Sequence, residues 1–429
     1  MIFIAMKAKE LVQDHPRKII HSLKVGLAPT LVSLFYYFRP LYDGFGINTI
    51  WALLTVVVVF KFSVGATLGK GLNRMLATSV TAALGIGAHK VAIRSGTTTE
   101  PILLAFSVFI IAALVTFTRF PPEMKPRHNY GLIMFDLTFC LVSVSGYQEN
   151  QAITMAFQRV STVVLGSCTA IIVCICICPI WSSEQLQDLI ATNMDKLGFF
   201  LEGFGDKYFR LSDNVRCEED GRLLAYRTVL TSKDKEEMLV IKRVVYLCFR
   251  TQILGQSDSI SLEANFARSE PCHGQFRFRH PWEHHVKIGT LTRQCAFKIE
   301  VLDSCLHSDT QVPANVPRKI QEPCVEICVW SGNCLKEIAS AIQKMTRPST
   351  LVGIHLANAK AASEELKSLL KSGWWEGADL FEIIPAISII LLLIDVAECL
   401  PKIFEAVDEL ASLACFKCTE PGALRSLGR

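Results

Sequence analysis

Five basic side chains stand where an ion leaving water would need them. Lys24, Lys70, Arg74, Arg119 and Arg159 each lie at, or just inside, the edge of an apolar run. An anion crossing a low-dielectric path loses its hydration, and fixed cations must replace it; their attraction grows steeply as the effective dielectric falls. Arg119 is the strongest candidate, because it ends an otherwise uncharged run and its guanidinium can hold a carboxylate in a bidentate fork. The plainer role for all five is to snorkel to lipid phosphate and set topology. Asp136 is the acid among them. An ionisable group inside an apolar run faces a partner or a wet cavity, so Asp136 is a pairing acid for Arg119 or Arg159, or the titratable group of a coupled carrier.

These residues need helices that cross a bilayer. Gly44 to Phe60 carries no charge, and about 17 residues at ~1.5 Å each is close to the shortest helix that spans. Lys61, Lys70 and Arg74 follow at once among Gly65, Gly69 and Gly71, which let backbones approach and give the run the look of a basic mouth to an anion path. The other expected spans are Lys18 to Phe38, Gly71 to Val91, Pro101 to Thr118, Asn129 to Gly146 and Val160 to Trp181, six in all. Val160 to Trp181 is the strongest, and the Ala, Gly and Thr of Gly71 to Val91 suit a helix packed among helices. Met1 to Arg17 is a short polar arm without the layout of a secretory signal. Lys7, Lys9, Arg17, Lys61, Lys70, Arg74, Arg119, Lys125 and Arg127 fall on one side of the spans, which makes both termini cytoplasmic.

Half of the 429 residues are hydrophobic and the mean hydropathy is +0.33, yet the charges concentrate in the second half. That asymmetry predicts an all-α membrane protein: an arm over 1–17, a six-helix membrane domain over 18–182, and a cytosolic helical domain over 183–429. Leu186, Leu189, Ile190, Met194, Leu197, Leu201 and Phe204 recur at helical spacing within Glu184 to Phe209. Asn214 to Lys235, Val316 to Met345, Leu356 to Lys371 and Leu380 to Leu413 continue the helical pattern. Ile383 to Ile394 is apolar but short and contains Pro385, so it is expected in a core.

Other chemistries find little support. Phe276-Arg277-Phe278-Arg279-His280 alternates aromatic and basic residues, but a docked extended segment explains it and no nucleic-acid partner is expected. His273, His280, His284 and His285 near Cys272 fit no standard zinc spacing, so no metal and no cofactor is expected. Of 16 cysteines, Cys168, Cys174, Cys176 and Cys178 lie in the sixth span, and Cys415 with Cys418 makes only a weak redox motif. No structural disulfide is expected on the reducing side of a membrane. No nucleophile with its base, and no phosphate-cradling loop, points to an enzyme.

The blocks IIHSLKVGLAPTLVSLFYYFRPLYDGFG, TVVVVFKFSVGATLGKGLNR, TFTRFPP, LVSVSGY and FRFRHPW resemble the plant aluminium-activated malate transporter family, in order and over most of the chain. The resemblance implies an anion channel passing malate and often chloride or nitrate. It also implies six spans per subunit, a helical cytosolic domain and assembly as a homodimer in the bilayer. The expected location is the plasma membrane in preference to the vacuolar membrane. A proton-coupled organic-anion carrier and a non-conducting membrane scaffold are the alternatives. This chain departs from the family at Lys61, where an acid is usual, at Asp136, where an apolar residue is usual, and at Ser269, where tryptophan is usual. Glu237 to Ser259 reads as an insertion between TSKDKEE and EANFAR, either an added loop or helix or a splice form, and one that could impair function.

Overall fold

A computed structural model describes residues 16–37, 49–96, 99–120, 125–149, 152–209, 264–276, 280–307, 318–373 and 380–417. The chain divides into two compact units, one of residues 1–183 with 265–271 and one of 184–264 with 272–429. Among the described residues the named elements are all helices, and the backbone bridges His273 with Phe276 and Thr346 with Lys417 are isolated ones.

The first unit holds α1 (Pro16–Tyr37), α2 (Thr49–Val59), α3 (Val64–Arg94), α4 (Glu100–Thr118), α5 (Lys125–Glu149) and α6 (Ala152–Cys176). Helix α3 is its centre and packs on both α5 and α6, while α2 packs on α6 and α1 on both of these. Small residues permit the approach: a Cβ added at Gly85 of α3 would stand 2.7 Å from Val142 of α5. Ala28, Val32, Ala52, Val56, Val59, Ala170 and Val173 form one buried cluster. Helix α4 buries only Leu104 and Val115 and leaves Phe106, Phe109 and Phe117 exposed, as a face meant for lipid would.

The helices differ from the expected spans at their ends. Helix α3 starts seven residues before Gly71, at Val64, because Ser63 caps it: the Ser63 hydroxyl accepts the Ala66 N–H at 3.4 Å. Lys70, expected just before a span, therefore lies inside a helix together with Arg74. Helix α6 begins at Ala152 and stops before Cys178, which turns at φ 42°, so Arg159 lies inside it and does not open it. By length and composition, Val64–Arg94, Glu100–Thr118, Ile153–Cys176 and Ile383–Leu413 can cross a membrane, whereas Ile19–Leu34, Ile50–Val59 and Tyr130–Ser143 are shorter apolar helices.

The second unit takes most of α7 (Ser182–Phe209) and then α8 (Trp282–His307), α9 (Arg318–Lys344), α10 (Thr350–Lys371), α11 (Leu380–Ala397) and α12 (Leu400–Leu413). The α7 pattern lands as expected, with Leu186, Ile190, Met194, Leu197, Leu201 and Phe204 buried. Helix α8 had no counterpart in the sequence reading. The stretch Leu380 to Leu413 divides at Cys399, with Pro401 in the first turn of α12. Helix α11 packs on α8, α9 and α10, burying Ile383, Ile389, Ile390 and Leu393. The expected helix Asn214 to Lys235, the insertion Glu237 to Ser259, and Arg277 to Arg279 lie outside the described residues.

Candidate functional site

Helix α3 carries Lys70 and Arg74 one turn apart, so both side chains project toward one side. Arg74 is buried, and its NH1 donates to the Tyr130 hydroxyl at 3.2 Å and to Met134 Sδ at 3.1 Å. Its Nε is buried without a partner among the described residues. Lys70 Nζ lies 5.5 Å from the centre of the same Tyr130 ring. Lys61 approaches Lys70, and His21 lies near both Lys24 and Lys61. Like charges gathered this closely repel, and an anion between them relieves the repulsion.

Lys24 is 1 % exposed and donates from Nζ to the Cys178 carbonyl at 2.7 Å. That carbonyl belongs to the turn that ends α6, where the helix dipole is negative, so the buried ammonium is held by the backbone. Ile180 of the same turn accepts the Val64 N–H at 2.8 Å, which ties the turn to the start of α3. Lys24, Lys61, Lys70 and Arg74 therefore share one end of the unit. Arg119 is the half-buried C-cap of α4.

Arg159 stands apart. It lies about 28 Å along the helix direction from Cys178, at ~1.5 Å per residue. Its guanidinium carbon is 3.4 Å from the centre of the Trp51 ring on α2, a cation–π contact. Asp136 is half-buried on α5 and accepts from Cys140 Sγ at 3.9 Å. Asp136 thus meets the Cys140 thiol, and the Arg159 guanidinium covers Trp51.

The sequence reading missed His21, Trp51, Tyr130 and, above all, Glu270. Glu270 Oε1 accepts the backbone N–H of Gly65 at 3.0 Å and of Ser182 at 2.6 Å. Its Oε2 accepts the Ser183 N–H at 3.2 Å and the Ser183 hydroxyl at 2.8 Å. One carboxylate thus answers the unsatisfied N–H groups at the starts of α3 and α7, where both helix dipoles favour negative charge. Ser182 and Ser63 join their hydroxyls at 2.7 Å beside it. Gly65 is needed here, because an added Cβ would come within 2.4 Å of the Phe266 carbonyl oxygen. Ser269 packs against Gly69.

The sequence profile described as Aluminium activated malate transporter matches residues 9–375. The chain belongs to that family. It is similar to aluminum-activated malate transporter 2 of Arabidopsis thaliana, 44% identical over 96% of this chain and 78% of that protein. Aluminum-activated malate transporter 7 of the same plant is 42% identical over 96% of this chain and 83% of its own. Aluminum-activated malate transporter 1 of Triticum aestivum is 39% identical over 97% and 86%. This is a family of transporters, not of enzymes, and its apolar helices make the chain a multi-pass membrane protein.

Proposed function

We propose that this protein is an anion channel that passes malate, with chloride or nitrate as further permeant ions, across the plasma membrane of a plant cell. The observation that carries the reading is the basic row Lys24, Lys61, Lys70 and Arg74, gathered at one end of a unit built from apolar helices. A dicarboxylate entering there exchanges water for ammonium and guanidinium groups whose mutual repulsion it relieves. Arg119 belongs to the same mouth and Arg159 to the far end of the path. Helices α1 to α6 are the six spans, the charge distribution sets both termini in the cytoplasm, and the working assembly is a homodimer.

Recording from membrane patches under malate and chloride gradients tests this. A channel gives reversal potentials that follow each anion's own gradient. A reversal that moves with the proton gradient at fixed anion concentrations, and stops moving in Asp136→Asn, makes the protein a coupled carrier instead. A surface-expressed protein with no current makes it a scaffold.

A further inference from the structure

Two helices bring three side chains to one point of the first unit. Arg74 on α3 is 6 % exposed, and both of its hydrogen bonds leave from one nitrogen: NH1 donates to the Tyr130 hydroxyl at 3.2 Å and to Met134 Sδ at 3.1 Å. Tyr130 and Met134 stand one turn apart on α5, so one face of that helix supplies both acceptors. Neither acceptor is charged, and burying a guanidinium beside neutral groups is costly. The same residue leaves its Nε buried with no hydrogen-bond partner among the described residues. Lys70, one turn before Arg74, holds its Nζ 5.5 Å from the centre of the Tyr130 ring. Half-buried Tyr130 thus meets both cations, one with its hydroxyl and the other with its ring.

We propose that Tyr130 is the specificity-determining residue of this mouth, and that its hydroxyl proton bonds a carboxylate of the passing anion. The proposal rests on the reading of Lys70 and Arg74 as part of the anion's entry. A phenol oxygen carries one proton and two lone pairs. Arg74 occupies a lone pair, so the O–H proton is left for another acceptor, and the donated N–H polarises the O–H into a stronger donor. A carboxylate drawn in by the two cations meets that O–H beside the guanidinium. It supplies the negative charge that neither Tyr130 nor Met134 provides, and it offers the unpartnered Nε–H the kind of acceptor a guanidinium fork fits.

The arrangement separates diacids from simple anions. Lys70 and Arg74 are offset by about 6 Å along α3, so the two carboxylates of a four-carbon diacid can address one cation each. Carboxylate oxygens accept near the plane of the group, which rewards a donor fixed at one angle. Chloride has no such directions, and Coulomb attraction to the cations holds it wherever the charge is balanced. Losing the Tyr130 proton therefore penalises malate and largely spares chloride, whereas losing a cation weakens both.

The test uses the full-length protein in lipid nanodiscs, with malate binding measured directly and chloride as the competitor. Tyr130→Phe keeps the ring beside Lys70 and removes only the hydroxyl. Malate should bind roughly tenfold more weakly, the order expected for a lost hydrogen bond to a charged group, while chloride shifts by less than about twofold. The malate-to-chloride permeability ratio in membrane patches should fall with it. In a chain that carries 3-fluorotyrosine at position 130 alone, the fluorine resonance should move saturably with malate and stay in place with chloride at equal ionic strength. That measurement keeps the hydroxyl and decides the question even if the phenylalanine variant does not fold. Unchanged malate affinity in Tyr130→Phe, an equal loss for malate and chloride, or a fluorine resonance indifferent to malate would each overturn the proposal. Malate binding that depends on Tyr130 in a protein without current would remove the channel and leave this site standing.

Discussion

The carboxylate of Glu270 accepts the backbone N–H of Gly65 at 3.0 Å across a sequence separation of 205 residues. With Ser182 and Ser183 as its other donors, it fixes where α3 and α7 begin relative to each other within the first unit. Hydrogen bonds to an ionised group contribute about 1.5–3 kcal/mol each when their loss leaves donors unsatisfied. Glu270→Ala should therefore lower the thermal midpoint of the purified protein markedly. Glu270→Gln, which keeps one acceptor and loses the charge, should fall between the two. Gly65→Ala should reproduce the loss through collision with Phe266 and not through charge. An unchanged midpoint in Glu270→Ala would mean that water serves these N–H groups equally well.

The basic mouth makes a separate claim about conduction. Neutralising Lys70 or Arg119 to Gln, at equal surface expression, should reduce malate conductance or alter malate-to-chloride permeability. Removing about 1 kcal/mol of anion stabilisation corresponds to about a fivefold loss in occupancy. Arg74→Gln should act more strongly than Lys70→Gln, because Arg74 is the buried one of the pair and is held by Tyr130 and Met134. Single-channel recordings of Lys70→Gln and Arg119→Gln that match the unmodified protein in conductance and selectivity would remove both residues from the path.

What the sequence disclosed follows from the range of each interaction. Lys70, Arg74 and Arg159 are visible because a charge interrupts an apolar run, a signal carried by a few neighbouring residues. The start of α3 is not visible: Gly65, Gly69 and Gly71 read as places of close backbone approach, with the span opening only at Gly71. Only the close approach of residues 266–270 shows why glycine stands where the helix begins. The role of Glu270 is invisible for a stronger reason, since its bonds to Ser182 and Gly65 join segments 88 and 205 residues apart. Asp136 stood out as an acid in an apolar run, but its partner could not be read, and the helices give it the Cys140 thiol at 3.9 Å.

In the second unit, acid should loosen α8. His285 is wholly buried and held down to about 3, and burial holds His280 down to about 4. Both are kept neutral in the folded chain, while the unfolded chain takes up their protons near the ordinary histidine value of about 6.5. The unfolded state therefore binds more protons between about 6.5 and 4, and stability falls as pH drops through that window. Each histidine contributes a slope of up to about 1.4 kcal/mol per pH unit there. Thermal midpoints should be flat from pH 8 to 7 and decline below 6, with a shallower decline in His285→Gln. A decline just as steep in that variant would assign the effect to other groups.

At the opposite end of the first unit, Arg159 and Trp51 should behave as a coupled pair. The guanidinium carbon lies 3.4 Å from the ring centre, and both residues are half-buried between α2 and α6. A cation over an indole face contributes about 0.5–1 kcal/mol when exposed and about 2 when desolvated, so this pair belongs between those limits. Arg159→Gln and Trp51→Leu should each lower the thermal midpoint. The double variant should lose less than the two single losses added together, by an interaction energy of about 1 kcal/mol. The anion enters as a second variable, because a carboxylate that reaches Arg159 competes with the ring for the same positive charge. In Trp51→Leu the guanidinium is released from the ring, and malate should then hold it more tightly, which would prolong single-channel occupancy by malate more than by chloride. Strict additivity of the two single variants would mean that the stacked geometry contributes nothing. Identical malate and chloride dwell times in Trp51→Leu and the unmodified channel would place Arg159 outside the conduction path.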